Sequence, residues 1–503
     1  MTEAARSRMS PHTDHRDGPR DECGVFGIYG PDHDVARLAY FALFALQHRG
    51  QESAGIAAAP RGGNILAIRD QGLVAQVFDE HTLRSLEGEM AIGHVRYSTT
   101  GSSQWQNAQP VVRDDRRTLA LAHNGNLINA VELYAELREQ GVEFTSTSDS
   151  EIIAALLALH PADRIEDAVA DVVSRLKGAF STVALTDEAV IAFRDPFGLR
   201  PLALGVIDSS ADGDQARPPA YCIASESCAF DLIGARYLRD VQPGEVIILT
   251  EGGLRTRIVG EPERSALCVF EHIYFARPDS RMGGNVLQVA RARMGEILWR
   301  EAPVDADVVI PVPDSGNAAA RGLARAAGLP QDDGFIKNRY VARTFIQPGQ
   351  ELRRHGLRLK FNPLPDVVGD QRLVVVDDSI VRGNTTRQIV AMLREAGAKE
   401  IHLRISAPPI KHPCHYGIDM STREEMIAHG RTVEEVAQEL GCDSLHYLSM
   451  DGVYEAIGGS SEAIDRTRSI HCDACFTGDY PLPGTEAANG KHALESQLPL
   501  IRA

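Results

Sequence analysis

Cys23 stands in the stretch RDECGVFGIYG, with polar, patternless residues before it and an apolar, glycine-punctuated run after it. A cysteine at a free amino terminus carries its own base. Its α-amine, of pKa roughly 7.7–8.0, lies close enough to a thiol of about 8.5 to take the thiol proton near neutrality. That amine exists only if the Glu22–Cys23 bond is cut, which would make residues 1–22 a leader removed on maturation. The same stretch also suits an extension in front of an ordinary strand cysteine.

A second set lies in RLVVVDDSIVRGNTT, Arg372 to Thr386. An apolar strand ends in Asp377 and Asp378, and a loop containing Gly383 leads into a hydroxyl-rich helix start. Amides at a helix N-terminus bind phosphate, so Arg382, Gly383, Asn384, Thr385 and Thr386 suit a 5′-phosphate. The paired carboxylates suit ribose hydroxyls and a hydrated Mg²⁺. The alternative is a strand end with solvated acids and a capped helix. A third set is the IHCDAC pair, Cys472 and Cys475, whose spacing fits zinc, an iron–sulfur cluster, a redox pair or no ligand at all.

These residues need a scaffold, and a chain of 503 residues is longer than one core usually serves, so two domains are expected. Hydrophobic content of 43% and charged content of 24% are those of a soluble globular protein. A formal net charge of −17 argues against nucleic acid or an anionic membrane as partner. No apolar run is long enough to cross a bilayer, and the leader has no apolar stretch to serve as a secretory signal, so a cytoplasmic location is expected. Eight cysteines in a large chain of this kind do not read as a disulfide framework; Cys222, Cys228 and Cys442 read as buried packing residues.

Residues 23–259 are strand-rich, with two helical patterns, Asp34 to Gln47 and Asp149 to Leu159. GEPERSA, Gly260 to Ala266, is a polar bridge. Residues 260–480 then carry continuous apolar strands alternating with helices (DVVIPV, RLVVVDD and IHLRISAPPI), the pattern of a parallel sheet covered on both faces. Residues 481–503 are mostly polar and are expected to be a poorly ordered tail.

Five segments resemble the N-terminal-nucleophile (Ntn) glutamine amidotransferases in the same order: LQHRGQESAGIA, GHVRYSTTG, AHNGNL, TSDSEII and RDPFGLRPL. The resemblance implies a four-layer αββα glutaminase domain in which Cys23 attacks the glutamine side-chain amide. It implies an oxyanion hole from the Asn124 side chain and the Gly125 N–H, and it gives the α-carboxylate of glutamine to Arg96 and its α-ammonium to Asp149. Read without the family, Asn124-Gly125 is also a good hairpin turn, Asp149 a plausible helix N-cap, and His48 and His94 supports of the fold.

The second half resembles the type I phosphoribosyltransferases, which act on phosphoribosyl pyrophosphate (PRPP). That likeness implies PRPP binding by Asp377, Asp378, Ser379, Arg382, Gly383, Asn384, Thr385 and Thr386, with Lys337, Arg343 and Lys360 contributing cations or a closing loop. The segment VIPVPDSG looks like the companion loop for pyrophosphate, and Ser315, Asp377 and Asp378 match the magnesium positions. Together the halves resemble the glutamine PRPP amidotransferase family, one branch of which carries a four-iron, four-sulfur cluster. Cys268, Cys414, Cys472 and Cys475 match its ligands, with zinc as the alternative. The family implies conversion of PRPP, glutamine and water into 5-phosphoribosylamine, glutamate and pyrophosphate, at the entry to purine synthesis. It also implies a homo-oligomer, dimer or tetramer, restrained by purine nucleotides. Another Ntn amidotransferase would need a sugar-isomerase or adenylating second half, and a non-catalytic PRPP sensor would not need the glutaminase segments.

Overall fold

The computed structural model describes residues 23–97, 104–209, 218–260, 264–338, 361–418, 420, 422–482 and 494. Residues 1–22, expected to be a leader, Arg343, Lys360 and most of residues 481–503, expected to be a tail, lie outside them. Leu494, the one residue described beyond Leu482, is buried against the core of the first half.

GVFGIY, Gly24–Tyr29, is buried at every position because it is the central strand of a seven-stranded sheet. It pairs antiparallel with Met90–Arg96 on one side and Ala220–Ala224 on the other. A second, six-stranded sheet contains Thr118–Leu127 paired antiparallel with Gly178–Leu185. Apolar residues from both sheets, among them Val25, Ile92, Ala122 and Val183, pack together between them. Helices Val35–Ala45 and Cys228–Ile233 cover the outer face of the first sheet. Helices Ala130–Glu139, Asp149–Leu159 and Ile165–Arg175 cover that of the second. Helix, sheet, sheet, helix is the four-layer Ntn arrangement.

The sequence pattern showed two of these helices. Ala130–Glu139 (AVELYAELRE) and Ile165–Arg175 (IEDAVADVVSR) also carry apolar residues at helical spacing, burying Leu133, Tyr134 and Leu137 in one and Ala168, Val169, Val172 and Val173 in the other, and the strand-rich pattern read for residues 23–259 does not include them.

In the second half, Val308–Pro311, Arg372–Asp377, Glu400–Ile405 and Ser444–Tyr447 form a parallel sheet in that order. Helices Leu287–Glu301, Asn317–Ala327 and Met450–Gly458 pack on one side. Asn384–Glu395 and Val433–Leu440 pack on the other. Burial on both faces is why LVVV and VVI lack alternation. Among the described residues, no helix is long and apolar enough to cross a membrane.

Candidate active site

Cys23 lies just before the central strand, which places its side chain at the mouth between the two sheets. Cys23, Arg96, Tyr97, Gln109, Gly125 and Asp149 line one pocket, together with His123, Ser148 and Ser150. The Cys23 Sγ donates to the Tyr97 carbonyl at 3.3 Å. Burial pushes the thiol up to about 11, against the opposing pull of that hydrogen bond and of Arg96. With its nitrogen in peptide linkage this thiol is therefore protonated at neutral pH.

Arg96 ends the strand beside Cys23 and faces Glu52 at 3.7 Å. The Asp149 carboxylate accepts from the Leu127 N–H at 3.0 Å and lies 3.7 Å from His123 Nδ1. Burial alone would raise that carboxyl, but His123 and backbone donors hold it below the usual range. Asp149 is not the helix cap: Ser148 takes that position and accepts from the Ser150 N–H.

Asn124 and Gly125 do not form a hairpin turn, because they sit inside the ten-residue strand Thr118–Leu127, opposite Ser181 and Phe180. Gly125 has φ of 145°, and a Cβ there would stand 2.0 Å from the Ala179 carbonyl oxygen, so only glycine fits. Asn124 is 1% exposed, and its Nδ2 meets no hydrogen-bond partner among the described residues. A buried donor left unsatisfied costs about 1–3 kcal/mol.

The two histidines are held in the framework. His94 points Nε2 at the His123 carbonyl at 3.2 Å, and burial pushes it down to about 3. His48 bridges Ala45 and Glu226. His123, Gln109 and Ser150 line the pocket without having been singled out in the sequence; His123 stands beside Asn124 in AHNGNL and Ser150 beside Asp149 in TSDSEII, whereas Gln109 had no such local signal.

At the second site, the strand Arg372–Asp377 delivers Asp377 and Asp378 to its carboxyl end, both buried. Ser315 Oγ donates to Asp377 at 3.5 Å, and Ser379 Oγ to Asp378 at 2.5 Å. Burial, with the neighbouring charge, raises the Asp377 carboxyl well above its usual range, and burial raises that of Asp378. Gly383, at φ of 77°, is the N-cap residue of Asn384–Glu395, so Asn384, Thr385 and Thr386 form its first turn. Arg382 pairs with Glu425 at 3.1 Å, and Lys337 pairs with Asp314 on the companion loop.

Cys268, Cys414, Cys472 and Cys475 line one apolar pocket with Leu199, Arg200 and Tyr416. None of the four is in a disulfide. Burial, reinforced by the other cysteines, pushes Cys475 well above the usual thiol range. Among the described residues, no group of three or more His, Cys, Asp or Glu is placed to hold a metal ion. Cys222 and Cys228 are buried packing residues, whereas Cys442 is only half-buried.

The two sheets with their cysteine pocket, followed by the parallel sheet with its acidic loop, define a glutamine amidotransferase joined to a phosphoribosyltransferase. The family described as "Glutamine amidotransferase domain" matches residues 94–212. The chain is 50% identical over 478 residues to an amidophosphoribosyltransferase of Synechocystis, covering 94% of this chain and 93% of that one. It is 49% identical to one of Archaeoglobus fulgidus, covering 92% and 99%. The structure of glutamine PRPP amidotransferase from B. subtilis, complexed with ADP and GMP, superposes with a TM-score of 0.85 at 45% identity, covering 93% of this chain and all of that one. The chain belongs to the amidophosphoribosyltransferase family.

Proposed function

We propose that the chain hydrolyses glutamine at Cys23 and transfers the ammonia to C1 of PRPP, giving 5-phosphoribosylamine, glutamate and pyrophosphate at the start of purine synthesis. The observation that carries the reading is the unpartnered Asn124 Nδ2, buried in the strand whose next residue, Gly125, lines the Cys23 pocket. A buried donor that no described protein group takes up suits an oxyanion formed during reaction, where such donors contribute about 2.7–4 kcal/mol.

Release of residues 1–22 frees the Cys23 amine, which takes the thiol proton. The thiolate attacks the glutamine amide carbon, Asn124 and the Gly125 N–H take the oxyanion, and the protonated amine returns a proton to the departing ammonia; water then adds to the glutamyl thioester, the S–C bond breaks, and glutamate leaves with the thiol restored. Arg96 and Asp149 hold the α-carboxylate and α-ammonium, a two-ended clamp for a free amino acid. Ammonia must then travel sheltered from water, since ammonium has no lone pair for the second reaction.

The division at residue 260 assigns that reaction to residues 260–480. Asp377 and Asp378 serve the ribose, Ser379 and Arg382–Thr386 the 5′-phosphate, and Lys337, Arg343 and Lys360 contribute cations or a closing loop over the substrate. Ser315, Asp377 and Asp378 fit a magnesium ion: two buried carboxylates pressed together need a cation, and Mg²⁺ commonly takes one or two carboxylates plus substrate phosphates. When bound, Mg²⁺ helps the leaving pyrophosphate carry its charge.

The four cysteines line one apolar pocket and match the ligands of the family's iron–sulfur branch, which favours a [4Fe–4S] cluster; zinc, which draws four thiolates to about 2.3 Å from one centre, is the alternative. A cluster would tie the segments carrying them together, with no redox step required. Purine nucleotides as inhibitors are supported by the ADP and GMP in the B. subtilis relative. A cytoplasmic homo-oligomer completes the reading.

The test is product formation by Cys23→Ala. Loss with glutamine and retention with ammonium salt is the expected result; failure with both would reject the division of labour.

A further inference from the structure

Glu271 begins the turn Glu271–Phe275 in the second half and is fully buried, yet it reaches the first half. It accepts a two-pronged pair of hydrogen bonds from Arg49, at 2.7 and 3.1 Å, and lies 3.7 Å from Arg200. Each arginine leads to one side of the glutaminase centre. Arg49 Nε donates to the Cys23 carbonyl at 3.0 Å. Arg200 Nε donates to the Tyr416 carbonyl at 2.8 Å. On either side of Tyr416, the His415 carbonyl accepts from Asn126 Nδ2 at 2.9 Å, and Gly417 is seated on Gly125.

The circuit thus runs from the nucleophile's backbone, through one carboxylate of the other half, to the strand that carries Asn124 and Gly125. Neutralising Arg49 does not require Glu271, because Glu226 of the first half already pairs with Arg49 at 2.5 Å. Burial alone would raise the Glu226 carboxyl, but His48 and Arg49 hold it well below its usual range, so it is a full anion. What Glu271 adds is a fixed span between two arginines whose far ends touch opposite sides of the reaction centre.

We propose that Glu271 is a positioning residue for glutamine hydrolysis, a buried anion of the second half that sets the spacing between the Cys23 thiol and the Asn124–Gly125 donors. The proposal rests on the glutaminase reading above. Its physical basis is the steep dependence of nucleophilic attack on alignment, where displacement by about 1 Å costs on the order of 100-fold in rate.

The test is Glu271→Gln in the full-length protein, which keeps the size and removes the charge. Product formation is measured with glutamine and with ammonium salt, alongside the glutamine KM. The expected result is a fall in kcat with glutamine on the order of 100-fold, a KM little changed, and a far smaller loss with ammonium. Equal losses with both nitrogen sources, or no loss with either, would overturn the proposal. Should E271Q not fold, Glu271→Asp keeps the charge but shortens the reach. A glutamine-specific fall in kcat then supports the positioning role, and parallel losses reject it. Cys23→Ala is run beside them: glutamine-dependent activity surviving there would reject the underlying glutaminase reading instead.

Discussion

Cys268 and Cys472 face each other across a two-residue parallel bridge, with Leu267 opposite His471 beside them. The start and end of the second half are held together at the pocket that Cys414 and Cys475 complete. Cys472→Ser should therefore lower the iron and sulfide content, bleach the visible absorbance and lower the thermal midpoint. Elemental analysis and calorimetry check this. A colourless wild-type protein carrying zinc would reject the cluster.

The Cys23 thiol, pushed up to about 11 by burial, cannot supply thiolate unaided near neutrality. With the α-amine as base, the rate with glutamine should rise with pH as that amine loses its proton, near an unperturbed value of roughly 7.7–8.0. A variant blocked at the Glu22–Cys23 junction should lack glutamine-dependent activity while using ammonium normally. Mass spectrometry of the N-terminus and a pH–rate profile are the measurements.

Removing the Asn124 donor should cost rate and not affinity. Asn124→Ala is expected to lower kcat with glutamine by about 10²–10³-fold, leaving KM and the ammonia-supported rate nearly unchanged. Steady-state kinetics with both nitrogen sources decide it.

Asp377 and Asp378 are raised by burial, Asp377 further by its neighbour's charge. The sign follows: a carboxyl whose folded pKa exceeds its unfolded value favours the fold while protonated, and loses that advantage as pH rises through the folded pKa. In neutral, magnesium-free buffer the pair therefore works against stability. Asp377→Asn should raise the thermal midpoint there, remove the stabilisation that added Mg²⁺ gives the wild type, and abolish PRPP-dependent product formation. A lower midpoint would contradict the electrostatic account.

Much of this was legible in the sequence because the signals were local. VVVDD followed by a glycine loop and threonines places carboxylates and amides within a few residues, and the structure keeps them there. Asn124-Gly125 also read as a turn, because the close approach of the Ala179 carbonyl that leaves room only for glycine within the strand comes from a segment far along the chain. Illegible was the charge circuit: Arg49 meets Glu226 and Glu271 at separations of 177 and 222 residues, and pairing over such distances leaves no periodic trace. HRG, SES and FEH each look like ordinary polar interruptions until the fold assembles them.

Because Gly125 and Asn126 lean on His415 and Gly417, the glutaminase unit is not modular at residue 260. A chimaera joined there to a foreign synthase would swap out the backbone against which its reaction centre is seated. Recombination, in the laboratory or in evolution, would have to carry the Cys414–Gly417 segment along with Cys23.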